Sequence, residues 1–116
     1  MEQEERRRDP RYNTLNFVYF SFQDPANGDG EYMGKTLDAS LRGLLLEVHL
    51  PLPIGQRLNL SVGAGEDIFE FSGEVVHCMD HDGGMFCTGI EFDPMTVEKK
   101  EKLEQYLTAF AKEKEG

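Results

Sequence analysis

Residues 56–62 read QRLNLSV, and within them Leu58, Leu60 and Val62 alternate with Arg57, Asn59 and Ser61. A period of two suits an extended strand with one apolar and one solvated face. This constrains the rest of the chain, because such a strand needs a sheet to join. Five further segments can supply it. TLNFVYFSF (14–22) is built of β-branched and aromatic residues. EYMGKTLDAS (31–40) reads as a short strand running into a turn, and GLLLEVHL (43–50) as an apolar one broken by LPLPIG (50–55). DIFEFSGEVVHCM (67–79) alternates less regularly, and Gly73 in its middle predicts a bulge or bend. MFCTGIEF (85–92) returns as the last strand. The segments QDPANGDG (23–30) and DHDGG (80–84) are turn or hairpin connections.

Beyond residue 93 the period changes. Val97, Leu103, Tyr106, Leu107 and Phe110 are expected to share one helical face over 94–114, amid Glu and Lys. Asp93 is the expected N-cap and Pro94 the first helical residue. Residues 1–13 carry no apolar periodicity and read as a flexible arm ahead of a single domain over 14–116. Six short strands followed by one helix predict a mainly β fold, a small antiparallel barrel or sandwich with the helix closing one side.

The formal net charge is −10. A chain so acidic lacks the broad basic footprint of a nucleic-acid polymer binder, although a small anion would feel only the local field. No apolar run is long enough for a membrane span, and no apolar stretch follows the N-terminal arginines as in an export signal. With two cysteines only, Cys78 and Cys87, the expectation is a cytoplasmic domain with reduced thiols.

The local field at the N-terminus differs from the average. Four of the six arginines, Arg6, Arg7, Arg8 and Arg11, fall inside ERRRDPRYN (5–13), offset by Glu2, Glu4, Glu5 and Asp9. Charge runs of this kind are commonly solvated tails. Two details point further. The arm uses arginine alone, although lysine is equally common in the chain, and only arginine offers a planar fork that grips phosphate bidentately, pairs with guanine or stacks on a base. Arg7 and Arg11 also stand four apart, on one side of the chain whether it is extended or helical.

A second constellation is DASLRG, Asp38 to Gly43. Asp38 offers acceptor oxygens suited to the paired donors of a guanine edge, and Ser40 offers both a donor and acceptors. Gly43 allows a sharp turn or the close approach of a ligand. Taken alone, the stretch also reads as an Asx or Ser turn joining two strands.

Together, RRDPR (Arg7 to Arg11) and DASLRG fit the Arg-x-x-x-Arg and Asp-x-Ser-x-x-Gly motifs, and the chain resembles the PilZ domains, bacterial receptors for cyclic di-GMP. Order, strand count, the GIEF closing strand (89–92) and the terminal helix are similar to that family over nearly the whole chain. Arg42 stands where many members carry a second glycine. The resemblance implies a six-stranded barrel and a binding site for cyclic di-GMP. Arg7 and Arg11 would stack on guanine and contact phosphate with Arg6 as helper, Asp38 and Ser40 would hydrogen-bond guanine, and Gly43 would shape the turn. It implies no cofactor and a signal passed to an effector protein in motility or biofilm control. The residues themselves offer no catalytic set, and the arm, with no apolar face on which to fold alone, is expected to order on binding and act as the switch. Homodimerisation and a stoichiometry of one or two nucleotides both stay open.

Two other readings compete. A degenerate PilZ-like domain would act through protein contacts alone. A small metal-dependent enzyme would be built on His77, Cys78, His81 and Cys87, but their spacing fits no standard zinc pattern, and His77 and Cys78 are expected to face opposite sides of a strand.

Overall fold

The structure is a computed structural model that describes residues 17–24, 30–64 and 67–115. The arm, with Arg6, Arg7, Arg8 and Arg11, lies outside the described residues, as do residues 14–16 of the first expected strand. The strands are β1 (Phe17–Phe22), β2 (Glu31–Ala39), β3 (Gly43–Val48), β4 (Arg57–Ala64), β5 (Asp67–Asp80) and β6 (Phe86–Phe92), followed by a helix, α1 (Val97–Glu115). All pairings are antiparallel, and the order β1-β2-β3-β6-β5-β4 closes into a barrel through β1 and β4. Of the two architectures that the strand pattern allowed, closure into a barrel is the one adopted, and each of the described strands is paired on both sides.

The barrel interior follows the alternation in the sequence. Val18 and Phe20 of β1, Leu44, Leu46 and Val48 of β3, Leu58, Leu60 and Val62 of β4, and Phe69, Phe71 and Val75 of β5 form one buried cluster. The helix adds Leu103, Tyr106 and Phe110 to it. The Tyr106 ring is fully buried and its hydroxyl lies 3.3 Å from Thr36 Oγ1 on β2. Burial pushes the Tyr106 phenol above its ordinary value, and the bond to Thr36 opposes that shift.

Three local expectations are corrected. The helix begins three residues after Pro94, because the Asp93 carboxylate is engaged elsewhere: it accepts hydrogen bonds from the Arg57 guanidinium and, at 2.7 Å, from the Ser72 hydroxyl. Those donors hold the Asp93 carboxyl below the usual range, with Arg57 the larger cause. Thr96 is the N-cap instead, its Oγ1 accepting from the Lys99 N–H at 3.2 Å. Val97 is 74% exposed rather than part of the buried stripe. At 3.6 residues per turn it lies about 120° around the helix from Leu103. Gly73 is not the bulge itself. A Cβ there would come within 2.6 Å of the Glu91 carbonyl oxygen, so glycine permits close approach of β5 to β6.

The irregularity in β5 falls slightly later. Val75 pairs with Ile90 and His77 with Gly89, which leaves Val76 as an extra residue. A matching irregularity lies in β2, where Thr36 pairs with Leu46 and Asp38 with Leu45, which leaves Leu37 over. An extra residue reverses which face the following side chains take. Thr36 and Val75 point inward and are buried. Strict alternation would therefore bury Asp38 and His77 as well. The two bulges put both on the outer surface, and both are exposed. In compensation Ala39, one place beyond Asp38, packs against the core.

Candidate functional site

The turn Asp38–Gly43 joins β2 to β3 and is held by Ser40. Its hydroxyl oxygen accepts from the backbone N–H of Arg42 at 3.1 Å and of Gly43 at 3.3 Å, while its own backbone N–H donates to the Gly43 carbonyl at 3.0 Å. The hydroxyl also donates, over a long 3.5 Å, to the Gly43 carbonyl. The Asp38 Oδ1 accepts from the Ala39 N–H at 2.9 Å, and its other oxygen has no partner among the described residues. Asp38 thus presents an exposed carboxylate whose orientation is fixed by its own turn.

At Gly43 the chain packs tightly against itself. A Cβ at this position would lie 2.0 Å from the Ile90 carbonyl oxygen and 3.1 Å from its carbon, so the close approach is to the chain's own β6 backbone. The turn is tied to that strand again by the Phe92 N–H, which donates to the Arg42 carbonyl at 2.8 Å.

The turn opens on a groove of about 480 Å³ that runs across β3 and β6 to β5. Register explains its shape. Asp38 pairs with Leu45, Leu45 with Gly89, and Gly89 with His77, so the four residues form one outward-facing row over four strands. Three strand spacings separate its ends by about 14 Å along the sheet. Leu45 and Gly89 make the floor, and Asp38 and His77 stand at its two sides. Arg42 and Glu91 complete the charged lining.

Sequence reasoning located Asp38, Ser40 and Gly43, and the structure brings them together at one end of this groove. It missed Gly89 and Glu91, weighed His77 only as a metal ligand, and noted Arg42 only as a departure from the motif. None of these carries a local signal, because they join the turn through strand pairing. Arg6, Arg7 and Arg11 lie outside the described residues, but the start of β1 bears on them. Phe17 pairs with Lys35, shortly before Asp38 on β2, so the chain enters the barrel beside the turn.

A second groove, of about 640 Å³, lies between the turn and the start of α1. It is larger, but its lining holds Glu74, Glu91, Asp93 and Glu104 against Arg42 and Lys100, which suits an anion poorly. In the metal reading, His77 is exposed on the outer face, whereas Cys78 accepts a hydrogen bond from the Thr88 hydroxyl at 3.5 Å on the other. Among the described residues no group of three or more His, Cys, Asp or Glu is placed to hold a metal ion. No described helix is long and apolar enough to cross a membrane.

The architecture is similar to several solved structures. The PilZ domain with c-di-GMP of YcgR from Escherichia coli aligns with a TM-score of 0.68 at 14% identity, covering 84% of this chain and 82% of that one. MrkH of K. pneumonia aligns at 0.65 and 17% identity, covering 86% of this chain and 46% of that one. The Bacillus subtilis inhibitor of motility, MotI/DgrA, aligns at 0.62 and 16% identity, covering 80% and 45%. This chain therefore spans under half the length of the last two. At such identities the likeness shows the fold. No curated protein is matched by the sequence. The PilZ domain family profile matches residues 5–109, a span that includes both the arginine arm and the Asp38–Gly43 turn, and the chain belongs to the PilZ domain family.

Proposed function

We propose that this chain is a receptor for cyclic di-GMP, which it holds in the groove beside the Asp38–Gly43 turn with the arginines of its N-terminal arm. The observation that carries the reading is the pairing of Phe17 with Lys35, which starts β1 close to the turn. From Phe17 back to Arg11 an extended chain spans at most about 20 Å, enough to reach the groove. The charge of the groove supports the same reading. Its described lining carries one full cation, Arg42, against Asp38 and Glu91. That lining alone would repel a ligand with two phosphates, and Arg7 and Arg11, with Arg6 beside them, supply the missing positive charge. Asp38, with one oxygen free among the described residues, suits the two adjacent N–H donors of a guanine edge, and the Ser40 hydroxyl, whose proton makes only a long 3.5 Å bond to the Gly43 carbonyl, can turn it to a ligand acceptor.

The neighbour from Escherichia coli, a PilZ domain with c-di-GMP, supports the ligand assignment. The chain acts as a binding module, not an enzyme, and works in the cytoplasm. Binding draws residues 1–13 across the barrel, and the rearranged arm is the surface that an effector protein reads. Ordering costs about 1–2 kcal/mol per fixed residue, which the charge-assisted contacts must offset.

Isothermal titration with cyclic di-GMP tests this. The parent should bind, Asp38→Ala should bind at least about tenfold more weakly while unfolding at the parental temperature, and a chain lacking residues 1–11 should fold but not bind. Equal affinity of the parent for cyclic di-GMP and cyclic di-AMP would refute guanine reading at Asp38. Parental affinity in the truncated chain would refute the role of the arm.

A further inference from the structure

His77 stands on the far side of the groove from Asp38, in the same lateral row, and no motif includes it. Its ring conformation is unusual in one respect. A Cβ built on Gly89 would lie 2.3 Å from His77 Nε2, 2.6 Å from Cε1 and 2.8 Å from Cδ2. Nε2 is bonded to both of those carbons. Had the ring met Gly89 edge-on, they would be much farther away than the nitrogen. Near-equal distances mean that the imidazole lies flat, one face down on the glycine. Gly89 faces outward in the strand and is nevertheless buried, because this ring covers it. The other face of the ring is turned to solvent, and His77 itself is exposed.

A flat aromatic ring laid parallel to the barrel wall, beside Leu45 and across from a carboxylate, is a platform for a planar ligand. We infer that His77 is a base-stacking residue of this site: its outward face receives a purine ring, and Gly89 is the seat that holds the imidazole flat. The inference rests on the proposed function and adds to it a purine contact supplied by β5 rather than by either motif. It also gives Gly89 a reason to be glycine, since any Cβ there displaces the ring.

The test is a double-mutant cycle read by titration with cyclic di-GMP. His77→Ala should weaken binding about five- to tenfold, the lower range for stacking of a base on an aromatic side chain, and His77→Phe should largely restore it. Gly89→Ala should weaken the parent by a similar factor, because its Cβ lifts the ring off its seat. The same change in the His77→Ala background should have little further effect, since the three atoms nearest that Cβ all belong to the imidazole. In the parent, the His77 ring proton resonances should move upfield when ligand is added, as protons beneath a purine do. A merely structural role for His77 would not produce that shift. If the parent binds cyclic di-GMP but His77→Ala and Gly89→Ala bind like the parent and the ring resonances stay put, this inference is overturned and the proposed function stands. If the parent does not bind, both are overturned.

Discussion

Replacing Gly43 by alanine isolates what holds the candidate site in shape. The new methyl carbon would sit 2.0 Å from the Ile90 carbonyl oxygen, 3.1 Å from the Ile90 carbonyl carbon and 3.2 Å from the Glu91 Cα. All three atoms are backbone of the paired strand, so no side chain can swing aside. An ordinary carbon–oxygen contact is above 3 Å, and β3 and β6 must part by about 1 Å at this point. Overpacking of this kind costs about 1–3 kcal/mol. Parting the strands also threatens the ladder at Gly43↔Glu91 and the Phe92–Arg42 hydrogen bond, at about 1 kcal/mol each. The sum is about 3–5 kcal/mol. For a domain of this size, 1 kcal/mol moves the melting temperature by about 4–5 °C, so a drop of about 12–25 °C is expected in thermal unfolding followed by circular dichroism. Gly55 is the control. Its φ is 93° and nothing lies within 4 Å of a Cβ there, so Gly55→Ala meets only backbone strain, about 1–2 kcal/mol. If Gly43→Ala melts at the parental temperature, or no lower than Gly55→Ala, then the approach of β3 to β6 is not what fixes the turn.

Other perturbations separate the remaining interactions. Arg11→Lys keeps the charge but loses the planar fork, and titration should show weaker binding of cyclic di-GMP at every salt concentration; parental affinity would reduce the arm to a point charge. Asp93 is held below the usual carboxylate range by Arg57 and Ser72, so its stabilising contribution is complete above the unfolded value of about 4 and is lost as pH falls through the lower folded value. Asp93→Asn should therefore lower stability at neutral pH and flatten its decline in acid; an unchanged acid limb in chemical denaturation would show that the pair contributes nothing. Tyr106→Phe keeps the ring in the core but deprives Thr36 of its hydroxyl partner, and a loss of about 1 kcal/mol is expected in denaturant unfolding. Because burial raises the Tyr106 phenol, the parent should also lose stability as pH climbs past about 10, where the unfolded chain ionises first, and Tyr106→Phe should lose less.

The sequence by itself determined the number and order of the elements and most of the core. Leu58, Leu60 and Val62 are buried as their alternation requires, and Leu103, Tyr106 and Phe110 follow from helical spacing. Each of these is a local property, because the period of a strand or helix decides which side chains share a face. The Asp38–Gly43 turn was equally legible, since the hydrogen bonds of the Asp38 and Ser40 side chains run between residues at most three apart. Tertiary structure decided what those elements do together. Nothing in TLDAS or GEVVHC shows that Leu37 and Val76 are extra residues, because a bulge is a mismatch between two strands and belongs to neither alone. Yet those two mismatches turn Asp38 and His77 out of the core and line them up across the groove. Helix entry was settled in the same way. Asp93 is a good cap in isolation, but Arg57 and Ser72, brought to it by β4 and β5, bind its carboxylate and leave capping to Thr96. A side chain that local rules assign to capping was taken by stronger donors once closing the barrel brought them within reach.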